Sequence, residues 1–262
     1  MKPNACLPSV PVIASRILQR EEKAKPCTNS KFHYRSVVGK LNYLEKGTRP
    51  DIAYATHQVA RFCGDPCEEH LKAVVHLGKY LKHTRFQGNI LKPDSTKSIK
   101  VYADADFSGN WNRNTAEYDA STEKSRSGYI ILHAGCLIFW SSKLQTQVAL
   151  STTEAEYVSL SQALREIVPI MNLISELKEK KIATISSVPK VYCKAFEDNS
   201  GALELARSPK LRPRTKHINT AYHHFREHVR NRIIQLFPIG TTLTGAGLCF
   251  RPLMEATAES PD

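Results

Sequence analysis

Three stretches of the sequence carry carboxylates in an order that suits divalent-metal chemistry. Val101-Tyr102-Ala103-Asp104-Ala105-Asp106-Phe107 brings acid to the end of a strand-like run, and Val191-Tyr192-Cys193-Lys194-Ala195-Phe196-Glu197-Asp198-Asn199 does the same further on. Between them, Ser151-Thr152-Thr153-Glu154-Ala155-Glu156-Tyr157 sets Glu156 at the opening of a long amphipathic helix. Asp104 and Asp106 share a strand face, because side chains repeat every two residues. A carboxylate at a strand end, one from a neighbouring strand and one from a facing helix make an all-oxygen cage of the kind Mg²⁺ takes. Two such ions about 4 Å apart clamp the attacking water and the leaving oxygen of an in-line phosphoryl displacement, with no nucleophilic side chain required. Each acid also has an ordinary structural use. Glu156 can close a capping box opened by Thr153, Asp198 can cap the helix that follows it, and Asp106 can start the turn at Ser108-Gly109-Asn110. Spacing alone leaves both readings open.

The elements that would position these acids follow from hydrophobic periodicity. Ile99 to Ala105 reads as a strand, followed by a polar loop to about Ser125. Gly128-Tyr129-Ile130-Ile131-Leu132 and Cys136-Leu137-Ile138-Phe139-Trp140 form a hairpin across a glycine-containing turn. The long helix then buries Val158, Ala163, Ile167, Ile170, Met171, Ile174 and Leu177, with a kink expected at Pro169. A fourth strand covers Val191 to Glu197, short helices cover Gly201 to Arg207 and Ile218 to Val229, and a last strand covers Ile233 to Phe237. This order predicts an α/β domain with a mixed sheet over residues 94–253, and a disordered tail over 254–262.

Ahead of it, residues 1–31 hold Pro3, Pro8, Pro11 and Pro26 and read as an extended linker. Residues 32–93 read as a small basic module of three helices. The first would bury Val37, Val38, Leu41, Tyr43 and Leu44, the second Ile52, Ala55, Val59 and Phe62. The third, Glu68 to about His83, would bury Leu71, Val74, Val75, Leu77 and Leu81 and expose Lys72, Lys79 and Lys82. Cys63, Cys67, His70, His76 and His83 do not match a zinc spacing, and the histidines fall on the polar side of that helix, so no zinc is expected.

A chain of 262 residues with 41% hydrophobic residues has enough apolar material for a real core and is not a disordered polypeptide. Its net charge of +12 favours a polyanionic partner, nucleic acid before membrane. Seven irregularly spaced cysteines do not form a secreted disulfide framework, and no apolar run reaches the roughly 20 residues of a membrane span. A protein of the cell interior, cytoplasmic or nuclear and not secreted, is expected.

Asp104-Ala105-Asp106-Phe107, Ser125-Arg126-Ser127-Gly128-Tyr129, Trp140-Ser141-Ser142-Lys143-Leu144-Gln145-Thr146, Leu150-Ser151-Thr152-Thr153-Glu154-Ala155-Glu156-Tyr157, Glu197-Asp198-Asn199 and Arg214-Thr215-Lys216-His217-Ile218 occur in this order. Together they resemble the ribonuclease H domain of copia-type LTR retrotransposon Pol polyproteins. The helical module is similar to the end of that family's reverse transcriptase, through Tyr34-Arg35-Ser36-Val37-Val38-Gly39, Thr48-Arg49-Pro50-Asp51-Ile52-Ala53-Tyr54-Ala55 and Tyr80-Leu81-Lys82. The resemblance covers roughly residues 32–240. It implies an RNase H-like five-stranded mixed sheet with flanking helices, preceded by a thumb or connection remnant of the polymerase. It also implies two Mg²⁺ ions, with Mn²⁺ as a possible substitute, and cleavage of the RNA strand of RNA–DNA hybrids to leave a 3′-hydroxyl and a 5′-phosphate. The catalytic and metal-binding carboxylates fall on Asp104, Glu156 and Asp198. Lys143, Arg214, Lys216 and His217 match motif positions suited to nucleic-acid contact, with His217 a candidate for helping product release; as ordinary surface charges or caps they would have no such role. Other polyprotein segments, reverse transcriptase and integrase, are implied partners, and a cytoplasmic virus-like particle is the implied compartment.

Two departures from the family pattern matter. The paired aspartates of the polymerase motif Tyr-x-Asp-Asp are missing from this sequence, so DNA synthesis by this chain alone is not expected. The family also closes its domain with Thr-Glu-Gln-x-Ala-Asp-x-x-Thr-Lys-Pro-Leu, whose aspartate is a fourth active-site carboxylate. Here the run is Thr242-Leu243-Thr244-Gly245-Ala246-Gly247-Leu248-Cys249-Phe250-Arg251-Pro252-Leu253, and Gly247 stands in the aspartate's place. Loss of one carboxylate removes ligand oxygens and negative charge from a site that must hold two divalent ions, which predicts weakened hydrolysis. The alternative is a non-catalytic nucleic-acid-binding remnant of a decayed element.

Overall fold

The computed structural model describes residues 8–13, 18–19, 32–113, 116–117, 119–182, 190–208 and 220–240. The tail expected over 254–262 lies outside the described residues. The chain divides into two compact units, Met1–Asn89 with Asn110–Thr122, and Ile90–Gly109 with Glu123–Asp262. Among the described residues no helix is long and apolar enough to cross a membrane.

The first unit is built on α1 (Tyr34–Gly47), α2 (Ala53–Ala60, entered through a 3₁₀ turn at Pro50–Ile52) and α3 (Glu68–His83). Tyr34, Val38, Leu41, Ile52, Val59, Val74, Leu77 and Tyr80 form its core. The inward faces differ from those read off the sequence. Tyr43 is 85% exposed and Val75 is 43% exposed, while Tyr34 and Tyr80 turn inward. The two inward tyrosines can do so because their hydroxyls find acceptors, Tyr34 at the Val59 carbonyl (2.8 Å) and Tyr80 at Asp51 Oδ2 (2.8 Å).

His70 is a further correction, since it is buried and not on the polar side of α3. Its ring stacks on Phe62, Nδ1 accepts from the Cys67 backbone N–H (3.1 Å), and Nε2 lies 3.0 Å from the Gln19 carbonyl. With Nδ1 accepting, the proton sits on Nε2, so His70 caps the helix as a neutral imidazole. Burial pushes its pKa down, in the same sense. The proline-rich lead-in also takes part: Val12 and Leu18 pack against the core and the Val10 carbonyl meets His76 Nε2 at 3.0 Å.

Arg49 ties the unit together. Its guanidinium forks onto both oxygens of Asp51 (2.9 and 2.7 Å) and reaches the Thr84 hydroxyl (2.6 Å) and carbonyl (3.2 Å) at the end of α3. Asn110–Thr122 joins this unit through Gln58 to Asn110 (3.1 Å) and Arg61 to Ser121 (2.8 Å).

The second unit holds five strands: β1 (Ile99–Asp106), β2 (Arg126–His133), β3 (Cys136–Leu144), β4 (Cys193–Glu197) and β5 (Ile234–Pro238). They lie in the order β3-β2-β1-β4-β5, with the first three antiparallel and β1, β4 and β5 parallel. This mixed sheet with helices packed against it is the expected RNase H-like fold. The β2–β3 turn is two residues, Ala134 and Gly135, both at positive φ, the geometry that matches strand twist in a tight hairpin.

α4 (Thr152–Glu179) crosses β1 and β2, and α5 (Ser200–Arg207) and α6 (Arg226–Arg230) pack nearby. Val101, Ala103, Tyr129, Ile131, Leu160, Ala163, Leu164, Ile167 and Met171 share one core with Cys193, Ala195 and Ile234. Helix α4 runs through Pro169, which is exposed and on the solvent side of the helix. Leu177, expected inside, is only half-buried. The helix expected from Ile218 to Val229 is shorter: a 3₁₀ turn at Thr220–His223 and then α6. The 3₁₀ turn is held by His223 Nδ1 and Tyr157 Oη at 2.7 Å.

Candidate metal centre

The fold brings the three acidic stretches to one place. β1 delivers Asp104, β4 ends one residue before Asp198, and α4 sets Glu156 over both. Ligand oxygens of Asp104, Glu156 and Asp198 all lie within 4.8 Å of one another. Asp104 and Glu156 are buried and Asp198 is half-buried, the most exposed of the three.

The structural alternatives for these acids fall to other residues. The N-cap of α4 is Ser151, whose hydroxyl accepts from the Glu154 N–H (3.2 Å), and Glu154 Oε2 accepts from the Leu150 N–H (2.8 Å). The capping work is therefore done by Ser151 and Glu154, not by Thr153 and Glu156. The N-cap of α5 is Asn199, whose side chain accepts from Ala202 N–H (3.0 Å), not Asp198. Asp106 does serve its turn. Its carboxylate fills the space where a Cβ on Gly109 would stand, and it faces Arg126, its register partner on β2.

Gln145 locks the opening of α4. Its amide, buried just past β3, donates to the Ala155 carbonyl (2.8 Å) and to the Ser127 hydroxyl (3.0 Å). Gly201 lies close against Thr153, so the starts of α4 and α5, which carry Glu156 and follow Asp198, are packed together.

Glu197 belongs to the same neighbourhood, a role the sequence reading did not give it. Alternation along β4 turns Cys193, Ala195 and Glu197 inward, and Glu197 is 0% exposed. Its Oε1 accepts from the Asn199 N–H (3.3 Å), while its Oε2 and that of Glu156 have no donor among the described residues. Burial, then Glu197, Asp104 and Asp198, push the Glu156 carboxyl up to about 11, against a smaller opposing pull from the Ala105 N–H. Glu197 is likewise held well above the ordinary carboxylate range, chiefly by burial. A buried carboxylate set of this kind needs a proton or a cation to compensate it. Three hard oxygen donors with one donorless buried oxygen fit a divalent ion such as Mg²⁺ or Mn²⁺.

Of the residues expected to contact nucleic acid, Lys143 is exposed on edge strand β3, opposite Ser127 in register. Arg214, Lys216 and His217, and also Gly247, lie outside the described residues.

The chain is 36% identical over 220 residues to the retrovirus-related Pol polyprotein from transposon RE1 of Arabidopsis thaliana, a match covering 84% of this chain and 14% of that protein. It is also 36% identical over 213 residues to the Pol polyprotein from transposon TNT 1-94 of Nicotiana tabacum, covering 81% of this chain and again 14% of the relative. The chain belongs to the retrovirus-related Pol polyprotein family of transposons. It spans about one seventh of the length of these Pol polyproteins. A shorter match, 39% identity over 136 residues, covers 52% of this Pol segment and 89% of the secreted RxLR effector protein 161 of Plasmopara viticola. No protein-family model matches the chain. Among solved structures, the LC11 RNase H1 isolated from compost overlays loosely, with a TM-score of 0.35 and 14% identity over 55% of this chain and 86% of that one. Within this Pol segment, the second unit carries the five-stranded mixed sheet and the carboxylate group.

Proposed function

We propose that this Pol segment comes from a copia-type LTR retrotransposon and holds the end of its reverse transcriptase followed by a ribonuclease H that acts on the RNA strand of RNA–DNA hybrids. The observation that carries this reading is the convergence of Asp104, Glu156 and Asp198 within 4.8 Å. Divalent ions held there would activate water and stabilise charge on the phosphate and the leaving oxygen. Asp104, Glu156 and Asp198 would hold the ions through their carboxylate oxygens. Lys143, with Arg214, Lys216 and His217, would hold the phosphates and 2′-hydroxyls of the hybrid. Gly247, in the place of a fourth carboxylate, would leave the second ion weakly held, so turnover would be slow while hybrid binding persists. Binding of a labelled hybrid, measured by anisotropy with and without Mg²⁺, tests the substrate reading. Preference for hybrid over duplex DNA supports it, and equal affinity for both contradicts it.

A further inference from the structure

Ser159 lies three residues beyond Glu156 on α4, one turn along the same side of the helix, and is 0% exposed. Its hydroxyl leaves its own helix. It donates to the Asp104 carbonyl at 2.8 Å and is 3.3 Å from the Gly128 carbonyl, and Asp104 and Gly128 face each other across the β1–β2 register. One side chain thus joins the helix that carries Glu156 to the residue that carries the first carboxylate.

Ser161 provides the contrast. It is equally buried on the same helix, yet its hydroxyl has no partner among the described residues. A buried serine in α4 therefore need not reach the sheet, and packing alone would be met by alanine, which carries no polar atom to desolvate. The hydroxyl of Ser159 adds a fixed position of helix against strand. Cation cages depend on that, because ligand oxygens must be held to within a fraction of an ångström.

We infer that Ser159 is a positioning residue of the cation site, setting the spacing between Glu156 and Asp104. This rests on the reading of Asp104, Glu156 and Asp198 as cation ligands. The test is Mn²⁺ binding to the full chain, followed by electron paramagnetic resonance, with thermal unfolding of each variant recorded without metal. Wild type should bind Mn²⁺ saturably, and Asp104→Asn should lose that binding. Ser159→Ala should bind at least about 10-fold more weakly, with a changed spectrum of the bound ion, the usual scale for loss of a group that orients metal ligands. Ser161→Ala should bind as wild type does. Ser159→Cys, which keeps a weak donor, should fall between wild type and Ser159→Ala and carries the test should the alanine variant not fold. Wild-type affinity and spectrum in the folded Ser159 variants would overturn the inference while leaving the cation site intact. Binding that Asp104→Asn does not alter would overturn the cation reading and this inference with it.

Discussion

Glu197 lies fully buried beside Glu156, on the core side of the strand that leads into Asp198. Each has one oxygen without a donor among the described residues, and each is held above the ordinary carboxylate range. The pair gives a pH dependence with a definite sign. Glu156 has an ordinary value of 4.5 and a folded value of about 11, so between those limits the folded protein binds more protons than the unfolded chain. Stability of the metal-free protein therefore falls as pH rises through that window. Chemical unfolding at pH 5, 7 and 9 with chelator present should show a steady decline, and flat stability would contradict it.

A divalent ion replaces the proton in that balance. Mn²⁺ or Mg²⁺ binding should release protons and tighten as pH rises from 6 to 8. Calorimetry in two buffers of different ionisation enthalpy reads the proton count directly. Identical heats in both buffers would mean that no proton leaves.

Glu197→Gln removes one of two adjoining buried carboxyls without changing shape. The metal-free variant should unfold at a higher temperature than wild type at pH 8, and its stability should depend less on pH, because one source of the raised Glu156 value is gone. A lower unfolding temperature at pH 8 would show that Glu197 is held by contacts that outweigh its charge.

Asp106 supports a turn and stands outside the three-carboxylate group. Asp106→Asn should leave Mn²⁺ affinity within roughly twofold of wild type, the scale of a substitution that touches no key feature. A loss of tenfold or more would place it among the ligands.

In the helical unit, Arg49 meets Asp51 and the end of α3 through four hydrogen bonds while only 7% exposed. Arg49→Ala leaves a part-buried Asp51 with the Tyr80 hydroxyl but without its cationic partner and should cost about 3 kcal/mol. Arg49→Lys cannot make the fork and should recover only part of it. Denaturant unfolding of both variants measures the difference.

Much of this was legible in the residues. The alternation in Ile99 to Ala105 and the two apolar runs around Ala134 and Gly135 specify the hairpin and the strand beside it, since a period of two is hard to mistake for a helix. Asp104, Glu156 and Asp198 were visible as acids at element ends, but only the fold shows that Ser151 and Asn199 take the capping roles. Glu197 was missed because a Glu at a strand end reads as a solvated charge, although its place in step with Cys193 and Ala195 pointed inward. Tyr34 and Tyr80 were passed over as core residues, and His70 was placed on the polar side, for a common reason. Each buries a polar group whose partner, Val59, Asp51 or Gln19, is distant in sequence and invisible to local periodicity.

Hydrolysis at the three carboxylates is tested most directly by cleavage of an end-labelled RNA–DNA hybrid by the purified chain in Mg²⁺ and in Mn²⁺, comparing wild type with Asp104→Asn and Gly247→Asp. Wild type should cleave the RNA strand slowly and only with cation, Asp104→Asn should not cleave it, and Gly247→Asp should cleave at least about tenfold faster than wild type. Cleavage by Asp104→Asn at the wild-type rate, or a Gly247→Asp rate no higher than wild type, would contradict this reading.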